Sequence, residues 1–141
     1  AEATQKRGFV EMPYCSIIGT ADKVVPFYTP DDYKGNSYVN AWNTYQQLNG
    51  IEVTSELDFS SDTLLGLNLA NRKTIVTNKG NGIKAVTGYF YKGEKPLIKI
   101  VAVVDYGHWN FMPGAQMMWD YFKMFSRDPQ TRKLVYHGKQ Q

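Results

Sequence analysis

Hydrophobic and polar positions follow one another along the chain in a pattern that predicts a mixed α/β fold. The short apolar run Tyr14–Gly19 is typical of a buried strand that stops at a glycine. Three later segments, rich in β-branched and aromatic residues, predict strands at 73–78, 83–91 and 97–105. The loops between them are rich in Gly, Lys and Asn, as hairpin connections are. Because the last run is almost continuously apolar, it predicts a central strand covered on both faces.

Two helices are predicted where apolar residues recur at helical spacing. Ser37 can cap a helix that runs to Leu48 and is closed by Asn49-Gly50. Its apolar face would carry Val39, Trp42, Tyr45 and Leu48. A second amphipathic helix is expected from Pro113-Gly114 to about Phe125, ended by Asp128-Pro129. Its apolar face would carry Met117, Met118, Tyr121, Phe122 and Phe125.

The segments between these elements are less regular. Residues 51–59 alternate loosely and predict a further strand. Residues 60–71 contain four leucines that fit either a short helix or a loop. Strand, loop, helix, several strands and a last helix together indicate the α/β class.

Composition and charge exclude several classes of protein. The chain has 141 residues, of which 43% are hydrophobic and 21% charged, an ordinary globular mixture. The net charge of +3 is spread along the chain, which is weak support for a nucleic-acid partner. One Cys excludes an internal disulfide framework and a cysteine-based zinc site. The two His show no metal-ligand spacing, and the longest apolar run is far too short to span a membrane.

Two strand ends carry candidate chemistry. Asp22 directly follows the first strand and a Gly-Thr turn, at the kind of sheet edge where open α/β sheets keep their sites. His108 follows the 97–105 strand and Gly107, and an imidazole there is a candidate general base. Taken singly, Asp22 could merely cap a turn and His108 could be structural. His137 lies in a polar C-terminal segment and is expected to be simply exposed.

In combination these features resemble the C-terminal part of an α/β-hydrolase, nearest to the polyhydroxybutyrate depolymerases and the feruloyl and acetyl-xylan esterases. In that group, an Ile-Ile-His-Gly-Thr-Ala-Asp-like loop followed by Val-Val-Pro carries the triad acid. Residues 17–22 and 24–26 match it, except that Ile18 stands where the His usually precedes the Gly. The other matching motifs are Trp42 with Asn49-Gly50, Gly107-His108-Trp109, Pro113-Gly114 and Trp119-Asp120-Tyr121-Phe122.

The resemblance implies a role for each matched residue. Asp22 would fix the tautomer of His108, and His108 would take the proton of a serine hydroxyl. The order acid then base agrees with the chain order of this fold. Trp109 and Phe111 would touch the substrate or, equally well, wedge the His108 loop against the next helix. The implied substrates are small aryl and alkyl esters or acyl groups on plant polysaccharides, and no cofactor is expected.

The nucleophile of such an enzyme is missing from the sequence. None of the six serines stands in a Gly-x-Ser-x-Gly elbow, and no oxyanion-hole segment precedes Asp22. We therefore expect residues 1–141 to be the C-terminal part of one α/β-hydrolase domain, inactive alone. The strands at 73–91 would be an insertion or a sheet extension. The expected partner is the missing N-terminal half, or a second copy of the chain at an open strand edge.

Two other functions remain open on the sequence. A non-catalytic carbohydrate-binding or interaction module is conceivable, because aromatic residues make up 14% of the chain and several strands are predicted. A nucleic-acid binder is less favoured, since the lysines lie near separate loops rather than in one run. Secretion or a periplasmic location would suit a parent enzyme acting on polysaccharide, and nothing in the sequence decides the compartment.

Overall fold

The fold is built on a four-stranded sheet in a computed structural model that describes residues 10–53, 56–60, 62–67, 72–79 and 82–138. Its strands are β1 (Tyr14–Gly19), β2 (Arg72–Lys79), β3 (Ile83–Lys92) and β4 (Lys95–Val103), in the order β1-β4-β3-β2. β1 runs parallel to β4, while β2 and β3 continue the sheet as antiparallel hairpins. The mixed α/β class and the four strands are as predicted.

Two helices cover opposite faces of this sheet. Alternate residues of β4 point to opposite sides, so Ile98 and Ile100 share a core with Trp42 of α1 (Ser37–Leu48). Val101 lies in a second core with Met117 of α2 (Gly114–Phe122). Every residue of β4 after Lys95 is buried, which confirms the prediction of a central strand covered on both faces. None of the helices in the described ranges is long and apolar enough to cross a membrane.

The first helix begins and packs slightly differently from the prediction. Asn36, not Ser37, is the N-cap, because the Asn36 side chain accepts a hydrogen bond from the backbone N–H of Tyr38. Val39 and Trp42 are buried as expected, and so is the polar Gln46. Asn49 closes the helix and also ties it to the chain before β1, since its side chain exchanges hydrogen bonds with the backbone of Met12.

The strand predicted for 51–59 is wrong where the structure describes it. Residues 51–53 and 56–58 are irregular, and Phe59 begins a turn. Asp58 offers the backbone an alternative to a strand ladder, because its carboxylate accepts from the N–H of Ser60. Asp62 does the same for Leu65 and Leu67. The 60–71 segment therefore forms turns rather than a helix over its described part, residue 60 and residues 62–67. Residues 61 and 68–71 lie outside the described ranges.

The C-terminal region also departs from its prediction. α2 ends at Phe122 instead of Phe125, and Phe125 opens a short strand, β5 (Phe125–Arg127). β5 pairs with β6 (Leu134–Tyr136), so the polar C-terminal segment before His137 folds as a hairpin, which the sequence pattern does not predict. Met117 and Tyr121 are buried on the predicted face of α2, whereas Met118 and Phe122 are exposed. Three-residue strands leave too short a pattern for period-two alternation to be recognised.

Gly19 is the position where the fold leaves no room for a side chain. A Cβ there would overlap the carbonyl oxygen of Tyr106 and lie 2.7 Å from that of Gly107. Both contacts are to backbone, which cannot rotate away as a flexible side chain can. The end of β1 and the loop after β4 can therefore approach only because residue 19 is a glycine.

We predict that Gly19→Ala destabilises the protein and that Gly107→Ala does not. The first change forces the two loops apart and should lower the free energy of unfolding by about 2 kcal/mol or more. A Cβ on Gly107 meets nothing within 4 Å, so this neighbouring glycine is the matched control and should change stability by less than about 0.5 kcal/mol. Urea unfolding of both variants measures the difference, and equal stabilities would contradict the packing described.

Candidate functional site

The carboxyl ends of β1 and β4 bring the two candidate loops together. Parallel strands in register release their following loops at the same edge of the sheet, and Gly19 is paired with Val103 at that edge. The N–H of Thr20 donates to the Val103 carbonyl at 3.0 Å, and the N–H of Ala21 donates to the Tyr106 carbonyl at 2.9 Å. The two loops thus continue the ladder beyond the strands and are held as one unit.

Asp22 and His108 meet at this edge, a contact that the resemblance described above implies. The Oδ2 atom of Asp22 lies 2.8 Å from Nδ1 of His108. The Asp22 side chain is only 5% exposed, whereas that of His108 is 57% exposed. The second carboxylate oxygen accepts from the backbone N–H groups of Val24 and Val25, at 2.8 and 3.0 Å. Asp22 therefore caps its own turn and holds the imidazole at the same time.

The charge state of Asp22 follows from these contacts. Burial would by itself raise the pKa of the carboxyl group, because it disfavours the ionised form. The hydrogen bonds from Val25, His108 and Val24 outweigh burial and hold the pKa below its usual value. Since an ionised carboxylate only accepts hydrogen bonds, Nδ1 of His108 must be the donor. In the neutral imidazole this leaves Nε2 as the nitrogen with a free lone pair.

His108 lines an open groove of about 420 Å³ together with residues from β1, from α1 and from the loops that follow β1 and β4. The other lining residues are Ile17, Ile18, Gly19, Asp22, Tyr38, Gly107, Trp109 and Asn110. The groove is mainly apolar at the end of β1 and polar around the imidazole. A ligand in it would therefore contact both hydrocarbon and a proton acceptor.

The structure separates the two residues expected to touch substrate. Trp109 lies in the groove beside His108 and is 82% exposed. Phe111 is buried against Tyr106 and Met117, in the core beneath the loop. Phe111 therefore packs the His108 loop against the following helix. Of the two residues, Trp109 is the one that a ligand in the groove can contact.

Tyr38 is a groove residue that the sequence did not indicate. It lies in the first turn of α1, and its hydroxyl donates to the Val25 carbonyl at 3.3 Å. Burial and the neighbouring charge of Asp22 raise its pKa, so its hydroxyl stays protonated at neutral pH. Only the fold brings this helix turn against the Asp22 loop. A tyrosine at the start of a helix carries no sequence signal for such a contact.

No serine lines the described groove. Ser16 is buried in β1, and Ser126 lies on the exposed β5–β6 hairpin, where its hydroxyl is 2.7 Å from Nε2 of His137. Ser55 and Ser61 fall outside the described residues. The groove therefore presents a carboxylate and an imidazole, and the Tyr38 phenol is the hydroxyl group among its described lining residues.

Metal and thiol chemistry find no support in the described ranges. They contain no cluster of three or more His, Cys, Asp or Glu side chains able to hold a metal ion. Burial raises the pKa of Cys15, so its sulfur is a thiol rather than a thiolate at neutral pH.

Trp119 is exposed like Trp109, whereas the aromatic side chains of Trp42, Tyr28 and Tyr121 are buried in the core.

In comparisons with protein-family models, curated proteins and solved structures, the chain matches none.

We predict that Asp22→Asn lowers stability at neutral pH and that this loss shrinks in acid. Because the folded-state pKa of Asp22 is depressed below its usual 3.8, its ionised form stabilises the protein above that value. That contribution is lost as the pH falls through the lower pKa of the folded state. Asparagine still accepts from Val24 and Val25, so the change removes charge rather than the turn. Urea unfolding of both proteins between about pH 7 and pH 2 measures the gap.

The matched control is Asp31→Asn, which removes an exposed carboxylate from the following loop. Its stability should follow that of the parent protein through the whole titration. A difference between Asp22→Asn and the parent protein that stays constant down to pH 2 would contradict the assignment.

Proposed function

We propose that this chain supplies the acid and the base of a serine carboxylic-ester hydrolase. The observation that carries the proposal is the 2.8 Å contact between a buried carboxylate and an exposed imidazole, at the joined ends of two parallel strands. A buried acid that orients an accessible imidazole is the arrangement that activates a hydroxyl nucleophile. The C-terminal part of an α/β-hydrolase fold is the finer architecture that goes with this proposal.

The proposed reaction follows from the tautomer that Asp22 enforces. Nε2 of His108 would take the proton from a serine hydroxyl as its oxygen bonds to the ester carbonyl carbon. The resulting imidazolium, stabilised by Asp22, would return that proton to the departing alcohol as the acyl–oxygen bond breaks. Water would then release the acyl group from the serine by the same two proton transfers.

The groove suggests which esters would fit. Trp109 is an exposed aromatic face next to the base, and Ile17 and Ile18 give an apolar wall. An aryl group or a sugar ring can stack on such a face. We therefore infer small aryl and alkyl esters, or acyl groups on polysaccharide, as the substrate class.

A nucleophile from outside the 141 residues would enter beside β1. Among the described strands β1 pairs with β4 alone, so its other edge is available to a further strand. A depression of about 260 Å³ lies where the ends of β1 and β4 meet α2, and its lining includes Ile17 and the exposed Trp109 and Met118. We propose that a strand parallel to β1, ending in a Gly-x-Ser-x-Gly turn, pairs with this edge. The partner is thus the nucleophile-bearing part of the same fold rather than a second copy.

The test is ester hydrolysis by the 141 residues joined to the polypeptide encoded directly upstream. We expect this longer protein to hydrolyse p-nitrophenyl acetate and to be labelled by a fluorophosphonate on a serine. His108→Ala should lower kcat by roughly 10⁶-fold, and Asp22→Asn by roughly 10⁴-fold. His137→Ala is the matched control, because it removes the other imidazole, which lies on the β5–β6 hairpin.

Two results would contradict the proposal. One is a longer protein that fluorophosphonate does not label. The other is hydrolysis by the 141-residue chain alone that exceeds the rate of its Asp22→Ala, His108→Ala double variant.

A further inference from the structure

A second cavity lies at the opposite end of the strands from Asp22 and His108. Glu11 precedes β1, and Lys92 and Lys95 flank the turn that leads into β4, so they mark the starts of both strands. The length of β4 places this cavity on the order of 30 Å from the groove. Its volume is about 680 Å³. Its charged lining residues, which we call the basic pocket, are Glu11, Lys92, Lys95, Arg127, Arg132 and Lys133.

The charges of the basic pocket are strongly unbalanced. Lys95 lies 2.7 Å and Lys92 3.5 Å from the two oxygens of the Glu11 carboxylate, which both lysines therefore share. The guanidinium of Arg127 donates instead to backbone carbonyls, those of Glu11 at 2.6 Å and Arg132 at 3.0 Å. Five cationic side chains and one carboxylate line the cavity, so it remains positive after its internal ion pairs are formed.

The same contacts hold the basic pocket in shape. Arg127 joins the β5–β6 hairpin to the chain before β1, and Glu11 joins that chain to the β3–β4 turn. Arg132 has a φ of 62°, and its N–H donates to the Asp128 carbonyl at 2.9 Å. The Asp128 carboxylate in turn accepts from the N–H groups of Gln130 and Thr131. The side chains of Lys92, Lys95 and Arg127 are already held by these contacts, so they lose little entropy when an anion binds.

We propose that the basic pocket binds a small ligand that carries two or more oxyanion groups, either carboxylates or phosphates. Arginine and lysine side chains donate charge-assisted hydrogen bonds to both kinds of group. The cavity has room for on the order of twenty water molecules, so it fits a ligand larger than one inorganic ion. Two sources have this chemistry, namely an acidic oligosaccharide with uronate carboxylates and a polyphosphate. The inference is independent of the proposed hydrolase activity, because it uses none of the groove residues.

The test is calorimetric titration of the full 141-residue chain with three probes at low salt. They are trigalacturonate, inorganic pyrophosphate and the neutral sugar maltotriose. We expect saturable binding of at least one anionic probe with a Kd below about 1 mM, weakened by added salt. Maltotriose should not bind. Binding of trigalacturonate alone identifies uronates as the source, and binding of pyrophosphate alone identifies phosphates.

The variant that removes the site is Arg132→Asn with Lys133→Gln. Asparagine tolerates the left-handed backbone at position 132, and neither side chain belongs to the Glu11 contacts, so the fold should persist. The double variant should weaken binding by about tenfold or more. Lys34→Gln with Lys84→Gln is the matched control, which removes two charges from exposed positions elsewhere and should change affinity by less than about twofold.

The melting temperature of each variant is measured alongside, so that unfolding is recognised as such. The absence of saturable binding by both anionic probes would overturn the proposal. So would an equal loss of affinity in the Lys34, Lys84 control, because general charge rather than the basic pocket would then be responsible.

Discussion

The parallel pairing of β1 with β4 is the constraint on which the candidate site depends. Antiparallel strands would release their loops at opposite ends, and Asp22 and His108 would then lie a strand length apart. The pairing alone is not sufficient, because the loops must also approach within hydrogen-bond distance of each other. Gly19 makes that approach possible, since any side chain there would overlap the Tyr106 carbonyl. One backbone pairing and one missing Cβ therefore position both ionisable groups.

The burial of the two groups is asymmetric in a way that matters chemically. Asp22 is enclosed by its own turn and by the imidazole. The N–H groups of Val24 and Val25 and Nδ1 of His108 all donate hydrogen bonds to its carboxylate and stabilise the negative charge. His108 remains largely exposed, with one nitrogen committed to Asp22. In a purely structural pair, both side chains would be fixed by contacts within the protein. Here Nδ1 of His108 contacts Asp22, and the largely exposed imidazole can still contact another group through Nε2. The proton transfer that we propose for His108 needs this asymmetry, because one imidazole nitrogen has to stay accessible.

Much of this arrangement could be predicted from the sequence, and the misses have identifiable physical causes. The strand ends, the Asp22 loop and the Gly107-His108 loop leave short-range signals that can be read locally. The prediction of a strand at 51–59 was wrong because the Asp58 carboxylate accepts a hydrogen bond from the backbone N–H of Ser60. The spacing of apolar residues carries no information about such a contact. The cap at Asn36 is a local contact with Tyr38, and a capping residue at either 36 or 37 suits the same pattern. The burial of Gln46 and the place of Tyr38 in the groove depend on tertiary contacts. Phe111 could not be assigned to core or groove until the position of α2 was known.

The tautomer of His108 tests this arrangement most directly. It is measured from the imidazole ¹⁵N resonances of the uniformly labelled chain. The pH is set above the range in which histidine titrates. We expect Nδ1 to carry the proton and Nε2 to be bare, because the ionised Asp22 accepts a hydrogen bond from Nδ1. Asp22→Ala should then move the proton toward Nε2, while His137 keeps its resonances. A parent protein with the proton on Nε2 of His108, or a tautomer unchanged by Asp22→Ala, would contradict the account.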